Sequence, residues 1–162
     1  MIKGYNDNEG VLIQDDSLQG KNLSYTYKGF NNIWKVFNYE YLVLVNPEQK
    51  KLVEAILGEN KDFINSWRLA SEFAKEQLKQ DPNDIYARFN LSVALYNIKD
   101  YQESVNEFEK IENKLPFRTL WYNIEPILSY FELGYYERVF DITDKILNNG
   151  NRAFSELYIV RG

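Results

Sequence analysis

The stretch "DIYARFNLSVALYNIKDYQESVNEFEKIENKLP", Asp84 to Pro116, decides how the rest of the chain is read. In its second half Tyr101, Ser104, Val105, Phe108 and Ile111 recur at spacings of three and four, with Glu and Lys residues between them. That period predicts an amphipathic helix with one apolar stripe. Asp100, with Glu103 three residues on, supplies its N-cap. The first half carries Ala87, Leu91, Ala94, Leu95 and Ile98 on one stripe, and Phe89, Val93 and Tyr96 widen it. A helix apolar over so much of its surface needs cover on more than one side, which stacked helical hairpins provide.

Working outward, Pro116 and Pro82 lie 34 residues apart, and each closes an apolar-periodic helix. A period of that length belongs to the tetratricopeptide repeat. Asp84 to Pro116 resembles this family along its whole length. Leu91, Ser92 and Leu95 fall at signature positions of the first helix, and Tyr101, Ser104, Phe108, Ile111 and Pro116 at those of the second helix and its stop. Ser92 is the small residue that lets two helices approach. The next unit, "LWYNIEPILSYFELGYYERVFDITDKILNNG" (Leu120 to Gly150), follows the same register one position out of phase through Tyr130, Gly134, Tyr136, Val139, Thr143 and Ile146. Pro126 departs from the pattern, and by removing an intrahelical hydrogen bond it should kink or restart the helix near Glu125. "SELYIVRG" (Ser155 to Gly162) resembles the opening half of a third, incomplete unit. Upstream, Lys51 to Pro82 is a degenerate version, in which Phe63, Trp67, Ala70, Ala74 and Leu78 still predict a helix of about 18 residues.

Residues 1–46 follow a different rule. Ile2, Val11 and Ile13, then Leu23, Tyr25 and Tyr27, then Tyr41, Val43 and Val45 show period-two spacing broken by Gly-containing turns. This pattern predicts strands, the first two forming a hairpin around Asp7 to Gly10, with a short helix over Phe30 to Phe37 before the last. The Asn6–Gly10 cluster lacks the ligand spacing and closing Glu of a calcium loop, so it reads as a hairpin turn.

This segment resembles the C-terminal part of the papain-like cysteine peptidases related to bacteriocin-processing, double-glycine-leader enzymes. The resemblance rests on Gly4 and Tyr5 at a turn, Val11 to Gln14 as a strand, Ser24, Tyr25 and Trp34 around a helix, and Tyr41 to Val45 as a last strand. It implies that Asp16 stands where those enzymes orient their catalytic His, although Ser17 replaces the Pro that often follows. Paired acids at a strand end, here Asp15 and Asp16, ordinarily serve as solvated turn residues. The chain holds no Cys and no His, which removes thiol nucleophiles, imidazole bases, disulfides and nitrogen or sulfur zinc ligation. Asp16 is therefore at most a remnant carboxylate, and no catalytic residue, metal site or cofactor is expected.

Composition narrows the remaining classes. The formal charge of −5 with scattered Lys and Arg gives no broad positive field for a phosphate backbone, so nucleic acid is not an expected partner. The longest apolar run, Tyr41 to Val45, is far short of the roughly 20 residues that span a bilayer. The first residues lack a basic region followed by an apolar stretch, so no signal peptide is read and a cytoplasmic location is expected. Apolar residues at 44% argue against disorder, and aromatics at 16%, including 13 Tyr, suit helix seams and a binding groove.

The expected fold is α+β: a small antiparallel β segment (1–46), linking helices with a degenerate repeat (47–82), and a right-handed tetratricopeptide-repeat solenoid of stacked helical hairpins (83–162). The resemblance implies a non-catalytic module that binds a protein or peptide on its concave face, with Tyr86, Asn90, Asn97, Trp121 and Tyr122 as candidates. Phe89 and Val93 stand where carboxylate-clamp members carry Lys and Asn, which argues against chaperone-tail binding. The alternative is the C-terminal part of a larger bacterial cysteine peptidase, with its Cys and His upstream and its repeats recruiting substrate. A third reading gives the β segment only the role of capping the first helix of the solenoid.

Overall fold

The computed structural model describes residues 1–116, 118–148 and 155–162. Among them the chain is α+β, with one three-stranded antiparallel sheet and nine α-helices. It divides into two compact units, Met1–Tyr41 and Leu42–Gly162.

In the first unit, β1 (Ile2–Asn6), β2 (Val11–Asp16) and β3 (Gly20–Thr26) pair in sequence order. Tyr5 faces Leu12 and Leu12 faces Tyr25, whereas Val11 and Ile13 of the period-two pattern lie opposite Thr26 and Ser24, and Leu23 opposite Gln14. Gly10, at φ 64°, ends the β1–β2 turn in the left-handed region that favours glycine. Helix α1 (Tyr27–Lys35) follows directly, its N-terminus capped by Thr26 Oγ1, which accepts from Gly29 N–H at 3.0 Å.

Two expectations for this unit are corrected. The helix starts at Tyr27 rather than Phe30, because the Thr26 cap ends β3 and takes Tyr27 out of the strand. The strand expected over Tyr41–Val45 does not form. After α1 the chain turns back over Trp34 through two left-handed residues, Asn38 (φ 53°) and Tyr39 (φ 55°). Trp34 Nε1–H donates to Glu40 O at 2.7 Å, and its ring meets Phe30, Tyr39 and Tyr41 at centroid separations of 5.6, 5.6 and 6.4 Å. Tyr41 is thereby committed to Trp34, and Leu42 and Leu44 stand 85% and 80% exposed.

In the second unit a 3₁₀ turn (Pro47–Gln49) leads into α2 (Lys50–Leu57), followed by α3 (Phe63–Gln80) and α4 (Ile85–Asn97). Asp62 Oδ1 caps α3 by accepting from Asn65 N–H at 2.8 Å, and Asp84 Oδ1 caps α4 by accepting from Tyr86 and Ala87 N–H. Helix α5 (Tyr101–Glu109) begins after a tight turn at Lys99 (φ 66°). Asp100 occupies its N-cap position as expected, without a side-chain cap bond. Helix α6 (Thr119–Tyr122) is a single turn, and the extended Asn123 (φ −133°, ψ 99°) separates it from α7 (Glu125–Glu132). Pro126 lies in the first turn of α7, where its missing N–H costs no helical bond, so the restart near Glu125 is as the sequence predicts. Gly134 (φ 75°) ends α7, with Tyr135 N–H reaching back to Tyr130 O at 2.9 Å. Helices α8 (Tyr136–Asn148) and α9 (Ser155–Arg161) complete the unit.

Helices α3, α4 and α5 pack in succession, α7 packs on both α4 and α5, and α8 joins α7 to α9. One face of α4 sets Leu91 and Leu95 against Ala74, with Leu78 and Ile98 at the edge. Its Phe89 and Val93 belong to a larger cluster with Val105, Phe108, Ile127, Tyr130 and Val139. At the junction of α4, α5 and α7 three serines are buried. Ser92 Oγ–H donates to Ser104 O and Ser104 Oγ–H to Ser92 O, both at 2.7 Å, while Ser129 Oγ–H reaches Ser104 Oγ at 2.8 Å. Each hydroxyl proton has a destination, so small side chains bring the helices close without leaving a polar group unsatisfied.

Candidate peptide-binding face and the Asp16 turn

Tyr86, Asn90 and Asn97 recur at helical spacing and share one stripe of α4. The helix is ordered by the Asp84 cap, which occupies the Tyr86 N–H, and Tyr86 itself is partly exposed. Asn97 is partly exposed, and its Nδ2 donates to Val93 O at 3.0 Å, one turn back. Asn90 is 2% exposed, contrary to the expectation that it lines an open groove. Its neighbours explain this: Phe89 and Val93 are 1% and 0% exposed, and their burial in the larger cluster draws the middle of the stripe inward. An accessible face therefore survives only toward the two ends of α4.

Trp121, on α6, is half-buried against the same cluster, with the Arg118 guanidinium 5.4 Å from its ring centroid. Tyr122 belongs to α6 by its backbone, and its side chain lies outside the described residues. At the C-terminal end of α4 the structure brings together two residues that the sequence reading does not count among the binding candidates. Tyr96 and Tyr101 are both partly exposed, with rings 5.5 Å apart. Partial burial, then the carboxylate of Glu132, the Tyr101 hydroxyl and Glu125, push the Tyr96 hydroxyl above its ordinary pKa. The signal available in the sequence was the excess of Tyr, but Tyr96 was assigned to the apolar surface of α4 and Tyr101 to the stripe of α5.

Two ion-pair networks tie helices of this unit together. Arg88 of α4 pairs with Glu107 of α5, which also accepts from Lys110 at 2.6 Å. Burial works against the Glu107 charge, but the hydrogen bonds from Lys110 and Arg88 outweigh it and hold the carboxyl below its ordinary range. Arg138 of α8 pairs with Glu112 and Asp141 and lies over the Tyr130 ring at 5.5 Å. Tyr130 Oη–H donates to Glu109 at 3.1 Å, and burial, followed by that carboxylate, raises its hydroxyl well above the ordinary tyrosine range.

Asp16 is the last residue of β2, at the start of the β2–β3 turn. Its Oδ1 accepts from Leu18 N–H and Gln19 N–H, each at 2.8 Å, and these bonds, Gln19 first, lower its pKa. Asp15 accepts from Lys3 Nζ and from Asn22 N–H, also at 2.8 Å, and the Lys3 hydrogen bond is the first cause of its lowered pKa. Both carboxylates are held ionised by turn and strand donors, an arrangement that shapes a hairpin and makes them weak proton acceptors. Among the described residues no group of His, Cys, Asp and Glu is arranged to hold a metal ion, and no helix is long and apolar enough to cross a membrane.

Compared with models of known protein families, with characterised proteins and with solved structures, the chain matches none.

Proposed function

We propose that the helical unit is a tetratricopeptide-repeat-like module that binds a protein or peptide segment without catalysing a reaction. The reading is supported by the serine junction at which α4, α5 and α7 converge: Ser92 and Ser104 fall at the small and packed positions of the resembling repeat, and Ser129 joins them from the next hairpin. In such a stack the first helix of each hairpin presents side chains along one side. Here these are Tyr86, Asn97 and Trp121, with Tyr96 and Tyr101 beside Asn97, while Asn90 supports the face from inside. The partly exposed Tyr residues offer large contact area with a polar tip, and Trp121, its Nε1 buried, adds ring surface. Such aromatic chemistry dominates protein recognition. The chain itself holds neither Cys nor His, and Asp16 is engaged by two backbone amides, so this reading gives the β unit a structural role.

A peptide array probed with the full chain, followed by titration of the captured peptides, tests the proposal. Tyr86→Ala, Asn97→Ala and Trp121→Ala should each retain the wild-type circular dichroism spectrum. Trp121→Ala should weaken binding by about thirtyfold, corresponding to the roughly 2 kcal/mol of an interface hot spot. Peptides captured equally by all three variants would refute this face.

A further inference from the structure

We draw no further inference here: the strongest candidate, the exposed apolar stripe formed by Leu52 and Ile56 on α2 and by Phe63 and Ile64 in the first turn of α3, is an unpartnered face, and nothing in the structure shows what covers it.

Discussion

The two units are held together by different physics. In Met1–Tyr41 only Asn38 is buried; every strand residue is partly or fully exposed, and order comes from sheet hydrogen bonds, carboxylate-braced turns and the rings around Trp34. Among the described residues all the buried apolar side chains lie in Leu42–Gly162, from Ala74 to Leu157, and the buried Ser92, Ser104, Ser129 and Thr143 hydroxyls there are hydrogen-bonded. A unit of 41 residues buries too small a fraction of its surface for a strong core, whereas stacked helices bury both faces of α4. The comparison teaches that the same aromatic-rich composition supports packing in one region and surface bracing in the other.

Substitutions in the helical core should break this contrast most severely. Phe108 is fully buried and meets Tyr130 edge-on at 6.3 Å. Phe108→Ala should cost about 3–5 kcal/mol in urea unfolding monitored by helical circular dichroism. A loss below about 1 kcal/mol would show that the α4–α5–α7 core is not where stability resides. Next in size is the serine junction. Ser104→Val adds volume and removes the hydroxyl that donates to the Ser92 carbonyl, and should cost about 1–3 kcal/mol in the same assay. Asp62→Ala removes the α3 cap and should cost about 1 kcal/mol.

The smallest effect belongs to the β unit and sharpens the contrast from the other side. Tyr27 Oη–H donates to Asp7 Oδ1 at 2.5 Å, and that bond, followed by desolvation and the Asp7 charge, pushes the Tyr27 hydroxyl up to about 12. Because the folded pKa lies above the ordinary value of 10.0, the contribution is fully present below about pH 10 and is lost as pH rises through about 12. Ultraviolet titration of tyrosinate in wild type and Tyr27→Phe should show one late-titrating tyrosine disappear from this region. Asp7→Asn should shift it downward. A Tyr27 that titrates with the bulk would remove the tie between the β1–β2 turn and the start of α1.

Long periodic segments made much of this architecture legible in the sequence. The stripe through Phe63, Trp67, Ala74 and Leu78 marks α3. Pro126 marks the restart of α7, since its ring admits only the first turn of a helix. Tyr41 to Val45 misled because alternation becomes a strand only when a partner edge is present, and Trp34 captures Tyr41 first. Asn90 misled because a polar side chain flanked by Phe89 and Val93 follows its neighbours inward. Of the candidate face, Tyr86, Asn90 and Asn97 follow from the resemblance to the repeat family, and of these Asn90 is buried. The Tyr96–Tyr101 pair was not legible, because it depends on the tight turn at Lys99 that brings the end of α4 and the start of α5 together.

Native-state hydrogen exchange resolved by residue tests the central claim most directly, since it reads both units in one chain under one condition. The account predicts that amides of α4, α5 and α7 around Ser92, Ser104 and Ser129 exchange only through global unfolding, while those of β1–β3 exchange through smaller openings at least a hundredfold faster. Equal protection in the two units, or faster exchange in α4 than in β2, would contradict it.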